Sequence, residues 1–186
     1  MDLKLTQPEK LSQWLRLYML YRSAFPAAER KPFSMIRRMY RLGKSDVWCL
    51  QQGSRFAGLA ITINGPDTIL LDYFAVEKRL RSHGIGAAAL KLLRQKYAGK
   101  GLFIEIESTF EGIPEQPRRL RRKQFYLRCG AVPMGVMVRL FGIKMELLGW
   151  DCRLDFPQYQ AFYRDNYSEW AAQHVAPEVH PENKGQ

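Results

Sequence analysis

The stretch Arg81-Ser82-His83-Gly84-Ile85-Gly86 constrains this chain more than any other, because of what lies on either side of it. Before it, Ile69-Leu70-Leu71-Asp72-Tyr73-Phe74-Ala75-Val76 reads as a mostly buried strand. After it, Ala87 to Tyr97 is rich in alanine, leucine and lysine and reads as a helix. A glycine turn between a core strand and a helix points unpaired main-chain N–H groups at one spot, a geometry that suits a phosphate or pyrophosphate. Lys78, Arg79 and Arg81 bring positive charge to the same place.

At 186 residues the chain is large enough to bury one sizeable core without disulfides or metal. A single domain is expected over residues 1–175, with 176–186 as a loose tail carrying Pro177, Pro181 and Gly185. The three cysteines, Cys49, Cys129 and Cys152, are scattered, which fits free thiols in a reducing compartment. Met1-Asp2-Leu3-Lys4 opens no signal or transit peptide, and no apolar run approaches the length of a membrane span. A cytoplasmic protein without a membrane partner is therefore expected. The formal net charge of +11 favours polyanionic partners, or simply aids solubility. Part of it clusters at Lys78-Arg79 with Arg81, and at Arg118-Arg119 with Arg121-Arg122-Lys123. Nucleic acid stays open as a partner on charge alone, but no helix-turn-helix, zinc-finger or RNP motif calls for it.

Along the chain, Leu11 to Phe25 reads as an amphipathic helix with its apolar stripe at Leu11, Trp14, Leu15 and Tyr18, and Phe33 to Leu42 as a second helix closed by Gly43. Asp46 to Gln52 and Arg55 to Asn64 read as a hairpin, followed across Asn64-Gly65-Pro66-Asp67 by a strand from Thr68 to Val76. Beyond the glycine turn and its helix come a strand at Leu102 to Ser108, an irregular segment around Gly112-Ile113-Pro114, and a helix over about Arg118 to Cys129. Two strands within Met134 to Leu148, bent at Gly142, and a helix from Phe156 to about Gln173 complete the pattern. This order specifies an α/β (α+β mixed) fold, a mixed sheet covered by helices.

Two groups of residues offer chemistry. On the strand Leu102 to Glu107, Glu105 and Glu107 fall on one face, about 7 Å apart along the strand. They are either a solvated strand face or a general base in a polar cleft. On the following helix, Arg122, Tyr126 and Cys129 share a stripe, with Arg119 one turn earlier. Tyr126 reads either as a core residue or as a neutral donor of a proton. His83 reads as an exposed loop side chain, and His174 and His180 have no metal-ligand spacing, so no metal is expected.

Arg81-Ser82-His83-Gly84-Ile85-Gly86 together with Phe125-Tyr126-Leu127-Arg128-Cys129-Gly130 resembles the GNAT acyltransferase superfamily, whose pyrophosphate loop is Arg/Gln-x-x-Gly-x-Gly/Ala and whose later motif is Phe-Tyr-x-x-x-Gly. The resemblance runs from about Asp46 to Ala131. Lys78, Ser82 and Ala131 depart from the family's usual proline, glycine and aromatic residue. The resemblance implies a GNAT-like fold with a mostly antiparallel, splayed central sheet. It further implies that the backbone of Arg81, Ser82, His83, Gly84, Ile85, Gly86 and Ala87 binds the coenzyme A pyrophosphate. Phe74, Ala75 and Val76 would hydrogen-bond the pantetheine arm, Glu107 or Glu105 would act as base near the acyl group, and Tyr126 would protonate the departing thiolate. The expected activity is acetyl-CoA-dependent N-acetyl transfer to an amine of a small molecule or peptide. The alternative is a GNAT-like module that senses acyl-CoA or binds RNA or protein without turnover. A nucleotide-binding Rossmann-type domain fits less well, because the strands open with a hairpin rather than repeated βαβ units. The acceptor is expected against the N-terminal helices, the Thr109 to Pro117 segment and the later strands, with Glu111 and Glu115 available to attract a cationic amine. Monomer and homodimer are both compatible with the sequence.

Overall fold

The computed structural model describes residues 2–110 and 114–179. Glu111, the Gly112-Ile113 pair and His180 with the remainder of the tail lie outside the described residues. The chain forms two compact units, Met1–Asn64 with Leu70–Ala98, and Gly65–Ile69 with Gly99–Gln186.

The first unit holds strands β1 (Leu3–Thr6), β2 (Ser45–Gln52), β3 (Arg55–Asn64) and most of β4 (Thr68–Val76), in that order across the sheet. β1 pairs antiparallel with β2, and β2 antiparallel with β3. Strand β1 was not expected, since Leu3-Lys4-Leu5-Thr6 is too short for its alternation to stand out. Helices α1 (Leu11–Ala24) and α2 (Phe33–Arg41) cover one face, where Leu17, Tyr21 and Ile36 meet Val47, Cys49, Leu59 and Ile61. Helix α3 (Ile85–Lys96) serves the other face, where Ile85 and Ala89 cluster with Leu3, Leu50 and Ala57. The register slips between Leu50 and Gln51 opposite Gly58. Such a bulge changes the phase of the alternation. Phe56 accordingly sides with Leu59 and Ile61, while Ala57 takes the opposite face.

Helix α1 departs from the expected orientation. Its buried residues are Leu17, Leu20 and Tyr21, whereas Leu11 is 80% exposed, Leu15 56% and Tyr18 37%. The helix carries apolar residues on two faces. The one bearing Tyr21 wins the core because that ring packs edge-on against Tyr73 at 4.8 Å and lies 5.7 Å from Phe25.

The second unit orders its strands β5 (Gly101–Glu107), β7 (Ile143–Trp150), β6 (Val132–Leu140) and β8 (Val175–Glu178), each pairing antiparallel. Helix α4 (Gln116–Arg128), with Pro117 in its first turn, lays Tyr126 against Trp150. Helix α5 (Phe156–Asn166) places Phe162 edge-on to Phe103 at 5.1 Å. The single helix expected over 156–173 is two. Ser168 leaves the helical region and its hydroxyl caps α6 (Glu169–Gln173) by accepting from the Ala171 N–H at 3.1 Å. Residues 176–178, expected to open a loose tail, instead extend β8, with Pro177 opposite Val138 and Glu178 bound to Arg139 at 2.6 Å. Among the described residues, eight mostly antiparallel strands flanked by helices make the mixed α/β class expected from the sequence.

Candidate functional site

In the first unit the strand-to-helix corner is built from main chain. After β4 the chain makes a short 3-10 turn at Lys78–Leu80 and then enters the glycine stretch. Ser82 and Gly84 both take left-handed backbone angles, φ 65° and 75°, and Gly84 is the N-cap of α3. Its carbonyl accepts the first helical bond, from the Ala88 N–H at 3.0 Å. The N–H groups of Gly84, Ile85, Gly86 and Ala87 therefore have no intrahelical acceptor. The axial dipole of α3 adds a partial positive charge at the same end. Arg81 stays exposed while its Nε donates to the Val76 carbonyl at 3.0 Å, tying the loop to the strand end. His83 Nδ1 donates to the Arg81 carbonyl at 2.7 Å, so this ring braces the loop as well as facing solvent.

The end of β4 alternates. Tyr73 and Ala75 turn to the α1 side, Phe74 and Val76 to the α3 side. Gly58 of β3 lies so close that a Cβ there would stand 2.4 Å from the Ala75 carbonyl oxygen and 2.8 Å from Leu50 Cδ1. Only glycine permits this approach.

In the second unit the site is built from side chains. Glu105 Oε1 accepts from the Tyr159 hydroxyl at 2.6 Å and from the Tyr163 hydroxyl at 2.8 Å. The two rings lie side by side on α5 and are almost wholly buried. The face carrying Phe103 and Glu105 is thus covered by a helix rather than by solvent alone. Glu107 Oε1 accepts from Arg119 Nη2 at 2.7 Å, both side chains being less than a fifth exposed. Arg119 Nη1 also donates to the Ser108 carbonyl at 3.1 Å. Among the described residues Glu107 Oε2 carries no partner.

A third carboxylate, Glu146 on β7, was missed by sequence reasoning. It stands opposite Ile106 and is 6% exposed. Its Oε1 accepts from the Thr109 N–H and hydroxyl at 2.5 and 2.6 Å, and its Oε2 from Lys123 Nζ at 2.5 Å. Burial at this depth is tolerable because every oxygen is bonded and the charge is paired. The only available signal was one acid inside the apolar run Met145-Glu146-Leu147-Leu148, which does not reveal its partner on α4. Tyr159 and Tyr163 were likewise missed, reading as ordinary aromatic residues of a helix.

Tyr126 is 2% exposed and its ring sits 6.1 Å from that of Trp150, which pairs with Leu102. Leu102 and Glu105 point to opposite faces of β5. The structure therefore does not gather Tyr126 and Glu105 onto one face. Among the described residues the Tyr126 hydroxyl makes no hydrogen bond. Glu115 is exposed just before α4. Burial pushes the thiols of Cys49 and Cys152 up to about 11, and raises that of Cys129 as well. All three are mostly protonated at neutral pH and make weak nucleophiles.

Residues 14–130 match the family model for the acetyltransferase (GNAT) family. No curated protein matches the chain. Among solved structures, a GNAT-family protein from Bacteroides thetaiotaomicron is 16% identical, with 92% of this chain and 99% of that one covered and a TM-score of 0.68. An aminoglycoside 6'-N-acetyltransferase complexed with coenzyme A is 15% identical over 83% of this chain and all of that one, at TM-score 0.64. NAA60 of Arabidopsis thaliana in complex with acetyl-CoA is 14% identical over 80% and 96%, at TM-score 0.61.

Proposed function

Since the chain belongs to the GNAT acetyltransferase family, we propose that it moves an acetyl group from acetyl-CoA directly to an amine of a small molecule or peptide. Residues 1–175 act as one acyltransferase domain in this reading, as the family match from 14 to 130 draws on both compact units. The observation that carries it is the corner at Arg81 to Ala87, where free N–H groups, two left-handed residues and a helix N-terminus converge. That backbone binds the pyrophosphate, with Arg81, Ser82 and His83 shaping the loop and Gly84, Ile85, Gly86 and Ala87 supplying donors. Phe74, Ala75 and Val76 hydrogen-bond the pantetheine arm as an added strand would.

An alkylamine is mostly charged at pH 7 and must lose a proton before it attacks. Glu107 accepts that proton on Oε2, the oxygen that Arg119 leaves open, and Glu105 is the alternative base acting through water. The amine nitrogen then bonds to the thioester carbonyl carbon, the carbon–sulfur bond breaks, and Tyr126 protonates the thiolate. Three cysteines with raised pKa values support direct transfer over a cysteine-bound acyl intermediate.

The test is thiol release from acetyl-CoA across amines, polyamines, amino acids and peptides. Saturable, acceptor-dependent release is expected with at least one class. Acetyl-CoA binding without release for any class overturns transfer and leaves a sensing module.

A further inference from the structure

We propose that helices α1 and α2 form a peripheral docking surface for anionic lipid. Residues 10–44 contain nine lysines and arginines against a single acid, Glu29. Lys31 is engaged by Asp72 at 2.7 Å. Arg16, Arg22, Arg38 and Arg41 are exposed.

The same segment shows large apolar side chains to solvent. Leu11 is 80% exposed, Leu15 56% and Met19 62%, recurring every fourth residue on one side of α1. Tyr18 continues that stripe and packs on Phe33 at the start of α2, where Met35 is exposed, as is Leu42 just after the helix. The stripe is not spare core, because Leu17, Leu20 and Tyr21 already fill the buried side.

Chemistry selects the occupant. Nucleic acid rewards the cations but gains nothing from protruding leucine and methionine. A second copy would bring like charge against like charge. A ridge of apolar tips flanked by arginines matches a bilayer surface, where the tips enter the acyl boundary and the cations meet anionic headgroups. With 14 residues α1 lies on such a surface rather than crossing it, and no described helix is long and apolar enough to cross. The sequence alone gave no membrane partner, because it does not reveal which apolar face of α1 the core leaves uncovered.

The full chain is tested by flotation with phosphatidylcholine vesicles carrying roughly a third phosphatidylglycerol, and with pure phosphatidylcholine. Binding is expected to the anionic vesicles only. Leu15→Asp with Met19→Asp, and separately Arg38→Glu with Arg41→Glu, should each weaken it roughly tenfold or more, with unchanged circular dichroism. If the aspartate pair perturbs folding, the glutamate pair and the conservative Leu15→Phe, which should retain binding, decide the matter. Absence of vesicle binding overturns the proposal, as does binding indifferent to Leu15 and Met19. So does salt-dependent binding to homopolymer RNA or to an acidic peptide with none to vesicles.

Discussion

The two compact units hold their polar groups in opposite ways. The first presents main-chain N–H groups at a helix start, held by φ angles and by Arg81 and His83 reaching back to carbonyls. The second presents carboxylates, each held by side chains from other elements: Glu105 by two tyrosines of α5, Glu107 by Arg119, and Glu146 by Lys123 and Thr109. A backbone site depends on local conformation and tolerates varied side chains. A side-chain site depends on partners distant in sequence, and one substitution leaves a charge stranded.

The contrast breaks most visibly at Gly84. Gly84→Asp puts a carboxylate and a Cβ at φ 75° where donors converge. It should raise the Kd for acetyl-CoA roughly a thousandfold, about 4 kcal/mol, by calorimetry, with the fold intact by circular dichroism. Affinity within a few-fold of the parent would remove the phosphate corner from the mechanism. Glu107→Gln probes the other unit. The expected loss is roughly a hundredfold in kcat with the KM for acetyl-CoA nearly unchanged; an unaltered kcat moves the base to Glu105 or to water.

Gly58→Ala should cost about 2 kcal/mol, because its Cβ collides with main chain at Ala75, which cannot swing away, as well as with the Leu50 side chain. Urea denaturation reads that loss, and a change under a few tenths would show that β3 shifts freely. The smallest effect is a gain. Ser82→Gly relieves a left-handed serine and should stabilise by about 1 kcal/mol in the same measurement, with acetyl-CoA affinity preserved.

How much of this was legible follows the same division. The corner was readable because Gly84 and the flanking strand and helix are contiguous, and even the departure at Ser82 falls where the backbone favours glycine. The hairpin at Gln52-Gly53-Ser54 and the strands beside it were readable from turn chemistry and alternation. The acidic residues were half legible. Glu105 and Glu107 declared themselves by breaking an apolar alternation, but the α5 tyrosines on Glu105 and the pairing of Glu146 with Lys123 arise only through helix docking. The face that α1 buries was misread for a related reason. Two apolar stripes compete on one helix, and periodicity does not weigh aromatic packing against aliphatic count. Strand β1 and the break at Ser168 were lost to brevity.

The burial of the cysteines carries over to the bench. With Cys49 fully enclosed and every thiol shifted toward its neutral form, the native protein should colour an Ellman-type disulfide reagent slowly and faintly near neutral pH. Yellow that develops during turnover then counts liberated coenzyme, and a sudden rise in the background marks enzyme that has come apart in the cuvette.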